Sequence, residues 1–190
     1  MRVIAGKCRS MPLKTVDGLG TRPTTDRIKE TLFNILMPEI PGCNFLDLFA
    51  GSGGIGIEAL SRGASSCCFI DNSRRAVNVI RENLMFTKLD RQAVVLQMDA
   101  VSAAASLKGP FDLIFMDPPY GHGLEKDVLA RLRTSDCIAG DAIFVVEASL
   151  ETDFSWAREL GYEAFREKLY KTNKHVFLRF DSEGRNGWEK

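Results

Sequence analysis

The chain has little with which to bind a metal or cross a membrane. Of its 190 residues only His122 and His175 are histidines, and its five cysteines (Cys8, Cys43, Cys67, Cys68 and Cys137) form no CxxC pair. Zinc sites are assembled from such residues at close spacing, so no metal is expected. Cys67 and Cys68 fall in an apolar, strand-like run where thiols pack as small hydrophobes, which predicts reduced, structural cysteines. No apolar run approaches the roughly 18 residues of a membrane helix, and Met1-Arg2-Val3-Ile4-Ala5-Gly6-Lys7 lacks a signal-peptide core. A soluble, cytoplasmic protein with no membrane partner is the expectation. There is no internal repeat, low-complexity segment or long linker, and a hydrophobic content of 45% over this length suits one well-buried core.

Net charge is also absent, but the zero total conceals an uneven distribution. Residues 1–29 carry seven basic side chains (Arg2, Lys7, Arg9, Lys14, Arg22, Arg27 and Lys29) against Asp17 and Asp26. Residues 158–179 carry six basic and three acidic side chains, whereas residues 44–157 carry ten basic and fifteen acidic. Basic ends around an acidic middle suit a polyanionic partner held by the ends while the middle performs chemistry.

Residues 1–22 read as short strands and turns, broken by Pro12 and Gly18-Leu19-Gly20. Thr24 or Thr25 can cap a following helix in which Ile28, Leu32, Ile35 and Leu36 form one apolar stripe, ended by Pro38 and Pro41. From Asn44, strand-length apolar runs at 44–49, 67–71, 93–98, 111–116 and 141–147 alternate with helical patterns. These include Val77, Ile80 and Leu84, and residues 124–133 and 153–160. That alternation predicts a mostly parallel α/β sheet covered by helices. Runs 162–169 and 175–180, separated by Lys171-Thr172-Asn173-Lys174, predict a closing antiparallel hairpin with Lys171 and Lys174 at its tip.

The segment Asp47-Leu48-Phe49-Ala50-Gly51-Ser52-Gly53-Gly54-Ile55-Gly56 reads as a strand entering a glycine-rich turn and then a helix. Glycines there let the backbone bend and a ligand approach main-chain N–H groups. The pattern alone also fits a dinucleotide fold, with Asp71 positioned to bind a ribose in either case. Asp47 separates the two. A carboxylate just before the loop opposes a pyrophosphate but favours S-adenosylmethionine, which carries an ammonium and a sulfonium. Asp71 and Asp99 end the second and third strands and could line one cleft, Asp71 for ribose hydroxyls and Asp99 for an adenine amine. Asp99 also suits a helix cap.

Asp117-Pro118-Pro119-Tyr120 directly follows the strand 111–116. Two prolines restrict the backbone and remove two N–H donors, leaving the Pro118 carbonyl as a fixed acceptor beside the Asp117 carboxylate. Together they can accept both hydrogens of an exocyclic NH2, while Tyr120 offers a flat face to an extruded base. Such an amine is a poor nucleophile because its lone pair is delocalised. Hydrogen bonds that favour pyramidalisation aim that pair at a methyl donor. The methylated nitrogen is strongly acidic, so no strong base is required. Thr21-Arg22-Pro23-Thr24-Thr25-Asp26-Arg27 could hold phosphates or fold over the cofactor. Neither histidine has an evident partner in the sequence.

These motifs, in this order and spacing, resemble the RsmD-type 16S ribosomal RNA guanine-N2 methyltransferases. The resemblance spans Arg2 to about Phe180. It is carried by Arg-Val-Ile-Ala-Gly-Lys, Thr-Arg-Pro-Thr-Thr-Asp-Arg, Glu-Thr-Leu-Phe-Asn, Leu-Asp-Leu-Phe-Ala-Gly-Ser-Gly, Gly-Ile-Glu-Ala-Leu-Ser-Arg-Gly-Ala and Asp-Pro-Pro-Tyr. It implies a class I, Rossmann-like methyltransferase with a seven-stranded, mostly parallel sheet whose last strand is antiparallel. It further implies a single domain, with residues 1–22 an RNA-binding hairpin extension, 23–181 the catalytic core and 182–190 a tail. The expected donor is S-adenosyl-L-methionine, with S-adenosyl-L-homocysteine as product. The expected substrate is one guanine of 16S rRNA, methylated on N2 within the small ribosomal subunit or an assembly intermediate by a monomeric enzyme. Asp117, Pro118, Pro119 and Tyr120 are the candidate catalytic residues. The cofactor candidates are Asp47, Phe49, Gly51, Ser52, Gly53, Asp71, Asn72, Asp99 and Ala100, with Thr24 and Arg27. The RNA candidates are Arg2, Lys7, Arg9, Arg22, Lys171 and Lys174. The chain departs from the family pattern at Ser10 and Lys171, where glycine is usual.

A DNA adenine-N6 methyltransferase would use the same Asp-Pro-Pro-Tyr chemistry, although such enzymes usually add a target-recognition region for which this chain has little room. A protein-glutamine methyltransferase does not call for basic segments. A catalytically silent RNA-binding assembly factor would not need both motifs intact, and an NAD oxidoreductase conflicts with Asp47.

Overall fold

The computed structural model describes residues 1–16 and 25–181, so Arg22, Thr24 and the tail from residue 182 lie outside the described residues. Among the described residues seven strands are formed: β1 (Asn44–Leu48), β2 (Ser66–Asp71), β3 (Ala93–Gln97), β4 (Phe111–Met116), β5 (Ile138–Ser149), β6 (Tyr162–Leu169) and β7 (Asn173–Phe180). They lie in the order β3-β2-β1-β4-β5-β7-β6. Strands β1 to β5 pair in parallel, and β7 runs antiparallel to both β5 and β6. This is the expected sheet. The closing hairpin places β7 between β5 and β6.

Helices α1 (Asp26–Ile35), α2 (Gly54–Ser61), α3 (Arg74–Thr87), α4 (Ala100–Ser106) and α5 (Leu124–Arg133) connect or flank the strands. Period-two alternation decides which side chain meets which helix layer. Phe45, Phe69, Phe115 and Phe177 pack with Leu32, Phe33, Ile57, Leu60, Ile80 and Leu84 on one face of the sheet. Leu46, Leu48, Ile70, Ile114, Met116 and Phe144 pack with Val128, Leu129 and Leu132 on the other. Gly56 lets α2 approach β2, since a Cβ there would lie 2.3 Å from the Phe69 ring and 2.6 Å from Cys67 Sγ.

Three local expectations shift. Helix α1 is capped by Thr25, whose Oγ1 accepts from Ile28 N–H at 3.3 Å, but it ends at Ile35, before Pro38. Proline disfavours helical geometry in the residue before it, and Met37–Glu39 tightens into a 3-10 turn. The run 153–160 is a 3-10 segment at Ser155–Leu160 and not an α-helix. Among the described residues of the N-terminus the short strands reduce to one antiparallel bridge, Arg2 with Pro12.

The N-terminal segment is fixed chiefly by side-chain acceptors on α2. Glu58 accepts from Ile4 N–H and Ala5 N–H at 2.7 and 2.9 Å, and Ser61 Oγ accepts from Cys8 N–H at 3.0 Å. Glu58 also pairs with buried Lys29 at 3.4 Å and with Arg62 at 2.8 Å. Burial lowers the Lys29 pKa, and Glu58 opposes that shift. Ser10 takes a φ of 68°, a left-handed conformation that glycine adopts without strain. The usual family glycine at this position therefore has a backbone reason.

Candidate active site

Strand β1 has β2 on one side and β4 on the other, so the chain order reverses there, and a cleft of about 1210 Å³ opens at the carboxyl ends of these strands. Open α/β sheets bind ligands at this reversal because the loops after neighbouring strands diverge. The glycine loop, the ends of β2 and β3, the Asp117-Pro118-Pro119-Tyr120 turn and the β6–β7 connection all line it.

The loop is held by carboxylates. Asp71 Oδ2 accepts from Gly51 N–H and its Oδ1 from Ser73 N–H, both at 2.8 Å, and Asp47 Oδ2 accepts from Gly56 N–H at 2.9 Å. Gly53 N–H donates to Ala50 O, and Asn83 Nδ2 donates to Ser52 O at 2.9 Å. Phe49, Gly51 and Gly53 all have positive φ, which makes the sharp turn into α2. These loop N–H groups are thus already satisfied by protein acceptors. An anion-binding nest would leave them facing the ligand.

Five carboxylates line the cleft: Asp47, Asp71, Asp99, Asp117 and Glu147. Burial raises the Asp47 pKa to about 7, against the pull of the Gly56 hydrogen bond and with a further push from Asp71. Asp117 is raised well above the ordinary carboxylate range, first by burial and then by Glu147 and Asp47. The Tyr120 hydroxyl donates to Glu147 Oε1 at 3.4 Å while the residue remains 46% exposed, so its ring faces the cleft mouth. Burial and Glu147 raise its pKa as well. Pro118 is buried and Pro119 exposed.

A sequence model of the family described as conserved hypothetical protein 95 matches residues 1–179. The chain belongs to this family. Ribosomal RNA small subunit methyltransferase D of Escherichia coli K12 is 38% identical over 151 residues, covering 80% of this chain and 76% of that protein. The Bacillus subtilis protein YlbH is 42% identical over 156 residues, covering 80% of this chain and 85% of that one. The solved structure of the Escherichia coli protein YhhF matches with a TM-score of 0.83 at 33% identity, covering 95% of this chain and 98% of that one. The RsmD-type resemblance carried by the motifs is borne out, as is the class I methyltransferase fold.

Within this RsmD-family site, Asp47, Phe49, Gly51, Ser52, Asp71, Asn72, Asp99, Ala100, Arg27 and the Asp117 to Tyr120 turn all line one cleft. Gly53 lies behind the loop as the residue before α2. Asp99 caps α4, Oδ1 accepting from Ser102 N–H at 2.8 Å, and the Ser102 hydroxyl together with this bond lowers its pKa. The candidate RNA residues separate. Exposed Lys171 is at the cleft rim, joined by Lys168, which no motif in the sequence marked. Lys174 is not at a hairpin tip: β7 begins at Asn173, and Lys174 is buried, paired with Glu167 at 2.6 Å and 5.7 Å from the Phe154 ring. Arg2 pairs with Asp26 at 2.8 Å. Lys7 donates to Gln92, just before β3, at 2.6 Å, so Lys7 and exposed Arg9 lie toward the amino end of the sheet, away from the cleft.

Sequence reasoning missed Glu147, Asn173 and His175. Glu147 accepts from Asn173 Nδ2 and lies 3.1 Å from His175 Nε2, whose ring partner Nδ1 meets the Tyr170 hydroxyl at 3.2 Å. His175 therefore does have partners. A carboxylate within an otherwise apolar strand, FVVEAS, was the available signal.

Proposed function

We propose that this protein transfers a methyl group from S-adenosylmethionine to the exocyclic N2 amine of a guanine in 16S rRNA. The observation that carries it is the Asp117-Pro118-Pro119-Tyr120 turn opening on the same cleft as the carboxylate-held glycine loop, in a chain whose family includes ribosomal RNA small subunit methyltransferase D. The cleft residues fit the donor. With the Gly51, Gly53 and Gly56 N–H groups satisfied and five carboxylates in the lining, it suits a ligand with cationic centres and opposes a pyrophosphate. Asp47 and the glycine loop would hold the amino-acid end, and Asp71, Asn72 and the Asp99-Ala100 turn the nucleoside end. When bound, S-adenosylmethionine supplies an electrophilic sulfonium methyl and leaves as S-adenosylhomocysteine.

The chain's own residues do the positioning. Tyr120 stacks the extruded base. The Asp117 carboxylate and the Pro118 carbonyl accept the two amine hydrogens, holding the nitrogen lone pair toward the donor. Asp117 then takes the proton released by the methylated nitrogen, a role suited to a half-buried carboxylate with raised proton affinity. Arg27, Lys168 and Lys171 ring the mouth, where backbone phosphates approach. We also propose that residues 1–181 act as one methyltransferase unit, since the N-terminal segment is bonded to α2.

The test is transfer of labelled methyl from S-adenosylmethionine to small ribosomal subunits lacking the modification, beside naked rRNA and duplex DNA, followed by nucleoside analysis. N2-methylguanosine is the expected product. N6-methyladenine in DNA would keep the chemistry and overturn the substrate, and label in neither would overturn the reading.

A further inference from the structure

We propose that Asn173 selects guanine, its Oδ1 accepting the N1–H of the target base while Asp117 and Pro118 hold the neighbouring N2 amine. The proposal rests on the guanine-N2 reading above and deepens it. Asn173 opens β7 and is 6% exposed. Its Nδ2 donates to Glu147 Oε1. Because the Nδ2 end is the one that meets Glu147, the amide oxygen is turned to the other side. Glu147 is itself fixed by His175 Nε2 at 3.1 Å, and His175 by Tyr170 at 3.2 Å. The amide is thus aimed by a relay of three buried or part-buried groups.

That Oδ1 is the one buried side-chain nitrogen or oxygen among the described residues with no hydrogen-bond partner. A buried acceptor without a donor is unfavourable, and proteins rarely retain one without a use. Asn173 lines the same cleft as Asp117, Pro118 and Tyr120, and Glu147 bridges it to the Tyr120 hydroxyl. The residue that carries the orphan acceptor therefore belongs to the wall of this cleft.

Guanine fits this arrangement because N1–H and the N2 amine are adjacent donors on its Watson–Crick edge. Three hydrogens then meet three acceptors: the Asp117 carboxylate, the Pro118 carbonyl and Asn173 Oδ1. Adenine offers its amine beside an unprotonated N1, whose lone pair would face Oδ1 with no hydrogen between. Asp117 and Pro118 recognise any exocyclic amine, so Asn173 supplies the discrimination they lack. A site built to receive a donor rejects an analogue without it much more strongly than an apolar pocket rejects a missing methylene.

The experiment compares the rRNA fragment that the wild-type protein methylates best with the same fragment carrying 2-aminopurine at the methylated position. 2-Aminopurine keeps the 2-amine but lacks N1–H. The wild-type protein is expected to prefer guanine by roughly tenfold to a hundredfold in kcat/KM, and Asn173→Ala is expected to bring that ratio to within about threefold of one. A side chain that only braces the fold would slow both substrates together and leave the ratio alone. Guanine methylation with the ratio retained in Asn173→Ala overturns the role of Asn173 while leaving the proposed function standing. Should that variant fail to fold, equal wild-type rates on the two fragments overturn the role without it. Label on adenine N6 in the wild-type experiment overturns both readings.

Discussion

At the residue scale the active cleft concentrates negative charge that it only partly neutralises. In the proposed reaction Asp117 must be ionised to take the amine proton, yet burial, Glu147 and Asp47 all favour its protonated form. Because its pKa is raised, the accepting form is scarce at low pH, and kcat/KM is expected to rise through a midpoint above the ordinary carboxylate range. Glu147→Gln removes the second of the three causes, so that midpoint should move to lower pH in a pH profile of kcat/KM. An unmoved midpoint would separate Glu147 from the titration of Asp117. Asp117→Ala is expected to lower methyl transfer by at least about 100-fold, the scale of losing a positioned acceptor, with donor affinity measured by calorimetry nearly unchanged. Normal turnover in that variant would remove Asp117 from its assigned role.

At the element scale the short N-terminal segment is held against the helix layer because α2 supplies hydrogen-bond acceptors for it. Glu58 satisfies two backbone N–H groups of that segment and the ammonium of Lys29, which is fully buried. Glu58→Ala leaves that cation without its carboxylate, and removing one partner of a buried pair costs about 3–5 kcal/mol. A denaturant midpoint lowered accordingly, together with faster proteolysis near residues 4–8, is the expected outcome; an unchanged midpoint would mean that the segment is anchored elsewhere. The helices and strands around it were largely legible in the sequence, since periodicity alone marks which residues face the core. The 3-10 character of Ser155–Leu160 was not, because a short apolar pattern cannot distinguish an α from a tighter turn.

At the scale of the whole molecule, charge is arranged around the cleft mouth and not simply along the chain. Arg27, Lys168 and Lys171 come from two distant stretches of sequence and meet at one rim. Replacing all three with neutral residues is expected to weaken rRNA binding and reduce the log–log salt slope by roughly two, at about 0.7–0.9 for each phosphate no longer neutralised. Neutralising Arg2, Arg9 and Arg22 together is the comparison. A smaller slope there too would extend the RNA footprint along the side of the protein, whereas an unchanged slope would confine it to the rim.

The sequence by itself determined the sheet, the glycine loop and the Asp-Pro-Pro-Tyr turn, because each depends on residues adjacent in the chain: alternation, a local bend, a fixed carbonyl beside a carboxylate. It also carried the family, through motifs spread from Arg2 to Phe180. Only the tertiary structure decided what the carboxylates do. Asp71 and Asp47 turn inward to satisfy loop N–H groups twenty and nine residues away, and Asp99 commits one oxygen to a helix cap. Lys174 leaves the rim because strand β7 begins one residue earlier and pairs it with Glu167. The contact of Glu147 with Tyr120, Asn173 and His175 was invisible in the sequence, since parallel pairing of β4 with β5 brings Tyr120 near, and antiparallel pairing of β5 with β7 brings residues 26 and 28 positions apart into the same hydrogen-bonded group.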